Sequence, residues 1–172
     1  SVSKSLTSTL VGVLADQGVI DVEATVPCYL PELAGPVWDG CTLQHLLDMR
    51  AGTYFDEGDY SDPDSLGRLI EEISGYVPRR RDDLAPDTRA LIRQLANVRP
   101  HGGPFEYRSI LTDVLAWVME SVTGEPFHEL FGRHIWGRIG VERDADVIVD
   151  STGFATVEGG ICTTARDLAR FG

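Results

Sequence analysis

Positive charge is scarce in this sequence: 15 lysines and arginines stand against 27 aspartates and glutamates, a formal net charge of −12. A chain this acidic repels phosphate backbones and anionic membranes, so nucleic-acid binding would need a concentrated basic patch. The single candidate, Arg79-Arg80-Arg81, runs directly into Asp82-Asp83 and reads as a solvated loop. Long apolar runs are missing too, with nothing approaching the ~18 residues of a membrane span. Cysteine is rare. Cys28, Cys41 and Cys162 are far apart and odd in number, which gives neither a disulfide framework nor a C-x-x-C metal pair. Buried free thiols are expected, and they lean towards a reducing compartment. No signal peptide opens the chain. A cytoplasmic location is therefore expected, with periplasmic or secreted locations open because the original N-terminus is not in view.

Several catalytic signatures are absent as well. His128 and His134 are six apart, so they do not form H-E-x-x-H, and His45 and His101 suggest no shared site. A Ser-His-Asp triad would bring G-x-S-x-G or similar, which is missing. Gly102-Gly103 is not a phosphate loop, because G-x-x-x-x-G-K is absent. No metal and no cofactor is expected.

What the sequence does have is helical periodicity. At 172 residues, 42% hydrophobic and 24% charged, it suits one globular domain over residues 1–172. Leu6, Leu10, Val13 and Leu14 form the stripe of a first helix, with Gly18 as its stop. Residues 19–36, broken by Pro27, Pro31 and Pro36, read as an extended connector. Thr42 caps a short helix carrying Leu43, Leu46 and Leu47 and closed by Gly52. After an acidic loop at 54–64, helical patterning returns with Leu66, Leu69, Ile70 and Ile73, and then from about Asp87 with Leu91, Leu95 and Val98. A Pro- and Gly-rich loop at 99–106 delivers Tyr107 to a strong helix lined by Leu111, Leu115, Val118 and Val122 and stopped by Gly124. Pro126 opens another. Val147 and Val149 alternate with polar neighbours, and residues 154–157 look extended, which suggests a small strand pair. A last helix starts at Thr163 or Thr164.

Two motifs carry chemistry. Ser1 and Lys4 are three apart at the head of an amphipathic helix, so they share a face. A neutral lysine there could take the serine's proton, and a serine hydroxyl is a poor nucleophile until something does. A helix N-terminus disfavours a second positive charge and favours a developing oxyanion. Tyr107 offers a phenol for proton relay, and Ser109 could hydrogen-bond it or cap the following helix. The plain alternatives are a serine N-cap with a solvated lysine, and a tyrosine packed at a helix start.

Ser1-Val2-Ser3-Lys4 resembles the first motif of the serine β-lactamase and penicillin-binding-protein superfamily, S-x-x-K. Tyr107-Arg108-Ser109 resembles the second motif of its class C-like branch, Y-x-N or Y-x-S. Leu30-Pro31-Glu32-Leu33, Leu46-Leu47-Asp48-Met49-Arg50-Ala51-Gly52, and the run from Gly159-Gly160 to Phe171-Gly172 match in order and spacing. Serine at the third position of the second motif is similar to the 6-aminohexanoate-oligomer hydrolases and related esterases.

The resemblance implies a fold: the mainly α, helical lobe of the α+β β-lactamase/transpeptidase-like fold, with a small β-hairpin and the main antiparallel sheet largely missing. It implies roles too. Ser1 would be the acylated nucleophile, Lys4 its base partner and Tyr107 the second proton-transfer residue, with the identity of the base open. Ser109 would fix Lys4 or the substrate, a small-molecule amide or ester. Tyr60 would sit in a loop closing over substrate, and Gly160 would bring backbone close beside the site. The third motif, K-T-G or H-x-G, is expected beyond Gly172. The expectation is thus of a partial domain, inactive by itself and completed by missing parts of its own fold or another chain. Two other functions stay open: an N-terminal-nucleophile hydrolase using Ser1, and a non-catalytic helical interaction module derived from the same scaffold.

Overall fold

Residues Ile110 through Met119 are all buried, which makes their helix, α6 (Ile110–Thr123), the axis of the molecule in this computed structural model. The structure describes residues 1–57 and 61–172. Around α6 pack α1 (Val2–Asp16), α2 (Val26–Tyr29), α3 (Leu43–Leu47), α5 (Thr88–Gln94) and α7 (Phe127–His134). The remaining α-helices among the described residues are α4 (Leu66–Ile73) and α8 (Ala165–Phe171). A stripe of Leu6, Leu10, Val11 and Leu14 buries one side of α1 completely. Each such side chain contributes about 1.5–3 kcal/mol of apolar burial.

The caps follow the sequence. Thr42 Oγ1 accepts from His45 N at 3.2 Å while His45 Nδ1 accepts from Thr42 N, a reciprocal box at the head of α3. Asp87 caps α5 and Thr164 caps α8 through the same kind of bond. Gly124 ends α6 in the left-handed region.

Five expectations need correction. The helix from Asp87 ends at Gln94, so Leu95 is its C-cap and the exposed Val98 lies outside it. The 19–36 connector holds a short helix, α2, and a 3₁₀ turn at Pro31–Leu33, because Pro27 and Pro31 occupy first-turn positions where a proline suits a helix. Gly52 does not close α3, which ends at Leu47. A Cβ at Gly52 would lie 1.9 Å from the Arg99 carbonyl oxygen, so glycine is needed there for close approach of the 99–106 loop. The strand pair is β1 (Asp146–Val147) with β2 (Ile161–Cys162), antiparallel, and residues 154–157 supply only a bridge, Val149 to Ala155. The cysteines are free, but only Cys41 is buried, its thiol pushed up to about 12 by desolvation, while Cys28 and Cys162 are exposed.

The basic run is tied down, not merely solvated. Arg79 donates to the carbonyls of Leu84 and Ala85, and Arg81 pairs with Asp83 and Asp64. Among the described residues, no helix is long and apolar enough to cross a membrane.

Candidate active site

Ser1 is the N-cap of α1, and Lys4 follows one turn later on the same face. Both reach one atom. Ser1 Oγ donates to the Glu158 carbonyl oxygen at 2.9 Å, and Lys4 Nζ donates to it at 2.5 Å. The Glu158 side chain adds its own contact, with Oε2 lying 3.8 Å from Lys4 Nζ. Burial pushes the Glu158 carboxyl above the usual carboxylate range, although the Lys4 charge works against that rise.

Tyr107 arrives from the other side. Its ring lies under the Lys4 amine, with Nζ 4.9 Å from the ring centroid, so their contact is amine against π-face. Tyr107 is 46% exposed. The preceding loop is clamped at several points. Arg50 donates from Nε to the Gly103 carbonyl at 2.7 Å and from Nη2 to that of Gly102. Glu106 N donates to Met49 O at 2.9 Å. Arg108, buried, donates to Ala51 O at 2.6 Å and pairs with Glu106 at 2.7 Å. His45 and His101, which the sequence left unconnected, stack with centroids 6.3 Å apart, and His101 Nδ1 accepts from Gly52 N. Together these bonds fix the backbone that presents Tyr107.

Ser109 is held by another residue than expected. Its hydroxyl donates to Glu57 Oε2 at 3.0 Å and its N–H to Glu57 Oε1. It stands at the N-cap of α6 without a side-chain capping bond. Gly160 lies in the turn that carries Glu158. A Cβ there would meet the Thr156 carbonyl oxygen at 2.3 Å, Ile148 Cβ at 3.0 Å and the Tyr76 hydroxyl at 3.2 Å, so only glycine fits without a shift. Tyr60 lies outside the described residues. Among the described residues, no group of three or more His, Cys, Asp or Glu side chains could hold a metal.

Four groups escaped the sequence. Glu158 contributes a backbone oxygen, which has no residue signature; the adjoining Gly159-Gly160 was the available hint. Glu57 is recognisable only from its Ser109 contact. Asp113 Oδ1 accepts from Val157 N at 2.9 Å and Glu158 N at 3.0 Å, and an aspartate between Leu111 and Val114 on a buried helix face was the signal for it. The Tyr76 hydroxyl reaches the Gly159-Gly160 turn, and desolvation, then Glu158 and Asp113, push this phenol well above its ordinary range.

The chain is 44% identical over 174 residues to the 6-aminohexanoate-dimer hydrolase of Paenarthrobacter ureafaciens, covering all of this chain and 43% of that protein. A solved Bacillus anthracis structure described as a 6-aminohexanoate-dimer hydrolase superposes with a TM-score of 0.90 at 29% identity, over 99% of this chain and 45% of the other. The class C β-lactamase of Rhodobacter sphaeroides shares the fold, with a TM-score of 0.66 at 18% identity over 99% of this chain and 48% of its own. The chain thus spans less than half the length of these relatives. The Beta-lactamase family profile matches residues 1–172, and the chain belongs to that family.

Proposed function

We propose that the whole protein is a serine hydrolase that cleaves amide or ester bonds through an acyl-enzyme. The observation that carries this reading is the meeting of Ser1 Oγ and Lys4 Nζ on one oxygen, with the Tyr107 ring against the same amine.

In acylation, Lys4 Nζ, after giving up its own proton, accepts the Ser1 hydroxyl proton while Oγ bonds to the substrate carbonyl carbon. Charge on the resulting oxyanion is favoured near the N-terminus of α1, whose unpaired N–H groups and dipole are positive. Collapse breaks the carbon–nitrogen or carbon–oxygen bond, and a proton passes by way of Tyr107 to the leaving amine or alcohol. The acyl group is then esterified to Ser1. Water adds to that ester, gives up its proton through the same relay, and releases the carboxylic acid and the free hydroxyl. Ser109 and Gly160 line the substrate side in this account, Ser109 as a hydroxyl oriented by Glu57 and Gly160 as backbone that leaves room. Tyr60 is assigned to the substrate-covering loop on the resemblance alone.

The names of the 44% and 29% identical relatives point to an amide of the 6-aminohexanoate-dimer type as substrate. The test is steady-state turnover of that dimer and of p-nitrophenyl esters by the whole protein. Ser1→Ala is expected to lower kcat by about 10⁴-fold or more, in keeping with loss of a nucleophile. Turnover by the variant at the wild-type rate would overturn the proposal.

A further inference from the structure

The carbonyl on which Ser1 and Lys4 meet precedes two glycines, Gly159 and Gly160, and glycine holds a backbone less firmly than any other residue. Something else must fix it. Beyond the glycines, Gly160 N donates to Thr156 O and Gly160 O accepts from Ile148 N, both at 2.9 Å. Before them, Thr156 N donates to Ile148 O at 2.9 Å, and the next two N–H groups go to one side chain. Asp113 Oδ1 takes the N–H of Val157 at 2.9 Å and the N–H of Glu158 at 3.0 Å. Asp113 stands in the first turn of α6, which begins directly after Tyr107-Arg108-Ser109. One rigid helix therefore links the tyrosine motif to the backbone that receives the Ser1 hydroxyl and the Lys4 amine.

The setting of Asp113 costs the fold something. It is fully buried, and Oδ2 has no hydrogen-bond partner among the described residues. Burial, reinforced by the nearby Glu158 carboxylate, holds its carboxyl well above the usual range. An apolar residue would suit the helix face better, since Ile110, Leu111, Val114 and Leu115 flank it. Packing of the helix face does not account for an aspartate here, and the two N–H bonds do.

We propose that Asp113 is a positioning residue for acyl transfer, holding the Glu158 backbone so that Ser1 and Lys4 stay in register with Tyr107. This rests on the serine-hydrolase reading. Asp113 touches no reacting atom, and its effect passes through the 157–158 peptide.

The experiment compares Asp113→Ala and Asp113→Asn in the whole protein, with Ser1→Ala alongside. Asn keeps an acceptor oxygen for both N–H groups, whereas Ala keeps none. Asp113→Ala is expected to lower kcat about 100-fold, the scale of a 1 Å misplacement, with KM changed less than about threefold. Asp113→Asn should restore kcat to within about fivefold of wild type. A folded Asp113→Ala enzyme with wild-type kcat would overturn the proposal, and so would equal losses in the two variants. If Asp113→Ala does not fold, Asp113→Asn decides. Retained kcat with slow hydrogen exchange at the Val157 and Glu158 amides supports the role, and a 100-fold loss overturns it. The Ser1→Ala control separates the two claims. Turnover surviving in Ser1→Ala sinks the hydrolase reading itself, whereas an inactive Ser1→Ala beside a fully active Asp113→Ala sinks only the positioning role.

Discussion

Two buried aspartates, Asp113 beside the Ser1–Lys4 pair and Asp150 after β1, each hold backbone N–H groups, yet their carboxyls move in opposite directions. Burial is the largest influence on both and raises both. At Asp150 it is outweighed by Thr152 Oγ1 at 2.7 Å and the N–H groups of Thr152, Thr88 and Phe154 at 2.8, 3.0 and 3.2 Å. The net result lies below the usual carboxylate range. At Asp113 two N–H groups and the Lys4 charge oppose burial, but Glu158 adds a like charge, and the net result lies above it. The number of donors and the sign of the neighbour decide between them. One region is locally satisfied, and the other keeps an unfavourable charge environment where the proposed chemistry occurs, as functional sites often do.

The largest effect that would sharpen this contrast is at Lys4. Lys4→Ala should lower kcat by about 10³-fold, within the range for a lost proton-transfer group, while moving stability little. Kinetics and thermal melting on one preparation check both halves. At the other region the pattern should reverse. Asp150→Ala strands backbone N–H groups of Thr88, Thr152 and Phe154 and should cost about 3 kcal/mol in urea unfolding, with kcat per folded molecule unchanged. A loss of kcat in folded Asp150→Ala would break the division.

Gly160→Ala comes next. The new Cβ must displace the Thr156 carbonyl or its own turn, which should cost about 1–3 kcal/mol and lower kcat because Glu158 moves with it.

The smallest effect is on pH dependence. Asp150, with its native value lowered, contributes stability that is fully present above the unfolded value of ~3.9 and lost as pH falls through the native value. The stability gap between wild type and Asp150→Asn should therefore shrink in acid. Asp113, with its native value raised, does the reverse: stability falls as pH rises from ~3.9 through the native value. Asp113→Asn should flatten that decline. Melting temperatures from pH 3 to pH 8 read both.

How much of this the sequence disclosed follows from the range of the interactions. The stripe Leu6, Leu10, Leu14 and the caps Thr42, Asp87 and Thr164 are local, so α1 and the starts of α3, α5 and α8 were legible, whereas the ends of α3 and α5 were not. Ser1, Lys4 and Tyr107 were legible as motif residues. The β1–β2 register was not, because two-residue strands have no periodicity to read and their pairing joins Asp146 to Cys162. The Glu158 carbonyl and the Glu57–Ser109 pair were hidden for a similar reason. Each depends on partners far along the chain, 157 residues apart for Ser1 and Glu158 and 52 for Ser109 and Glu57. Gly52 shows how a correct signal can carry the wrong cause: the glycine is required, but by Arg99 and not by the end of a helix.

The most direct measurement is covalent labelling of the whole protein with a fluorophosphonate, followed by peptide mass spectrometry. A hydroxyl activated by its lysine neighbour should carry the adduct on Ser1, and neither Ser1→Ala nor Lys4→Ala should react at a comparable rate. An adduct that forms equally fast in Ser1→Ala would contradict the account.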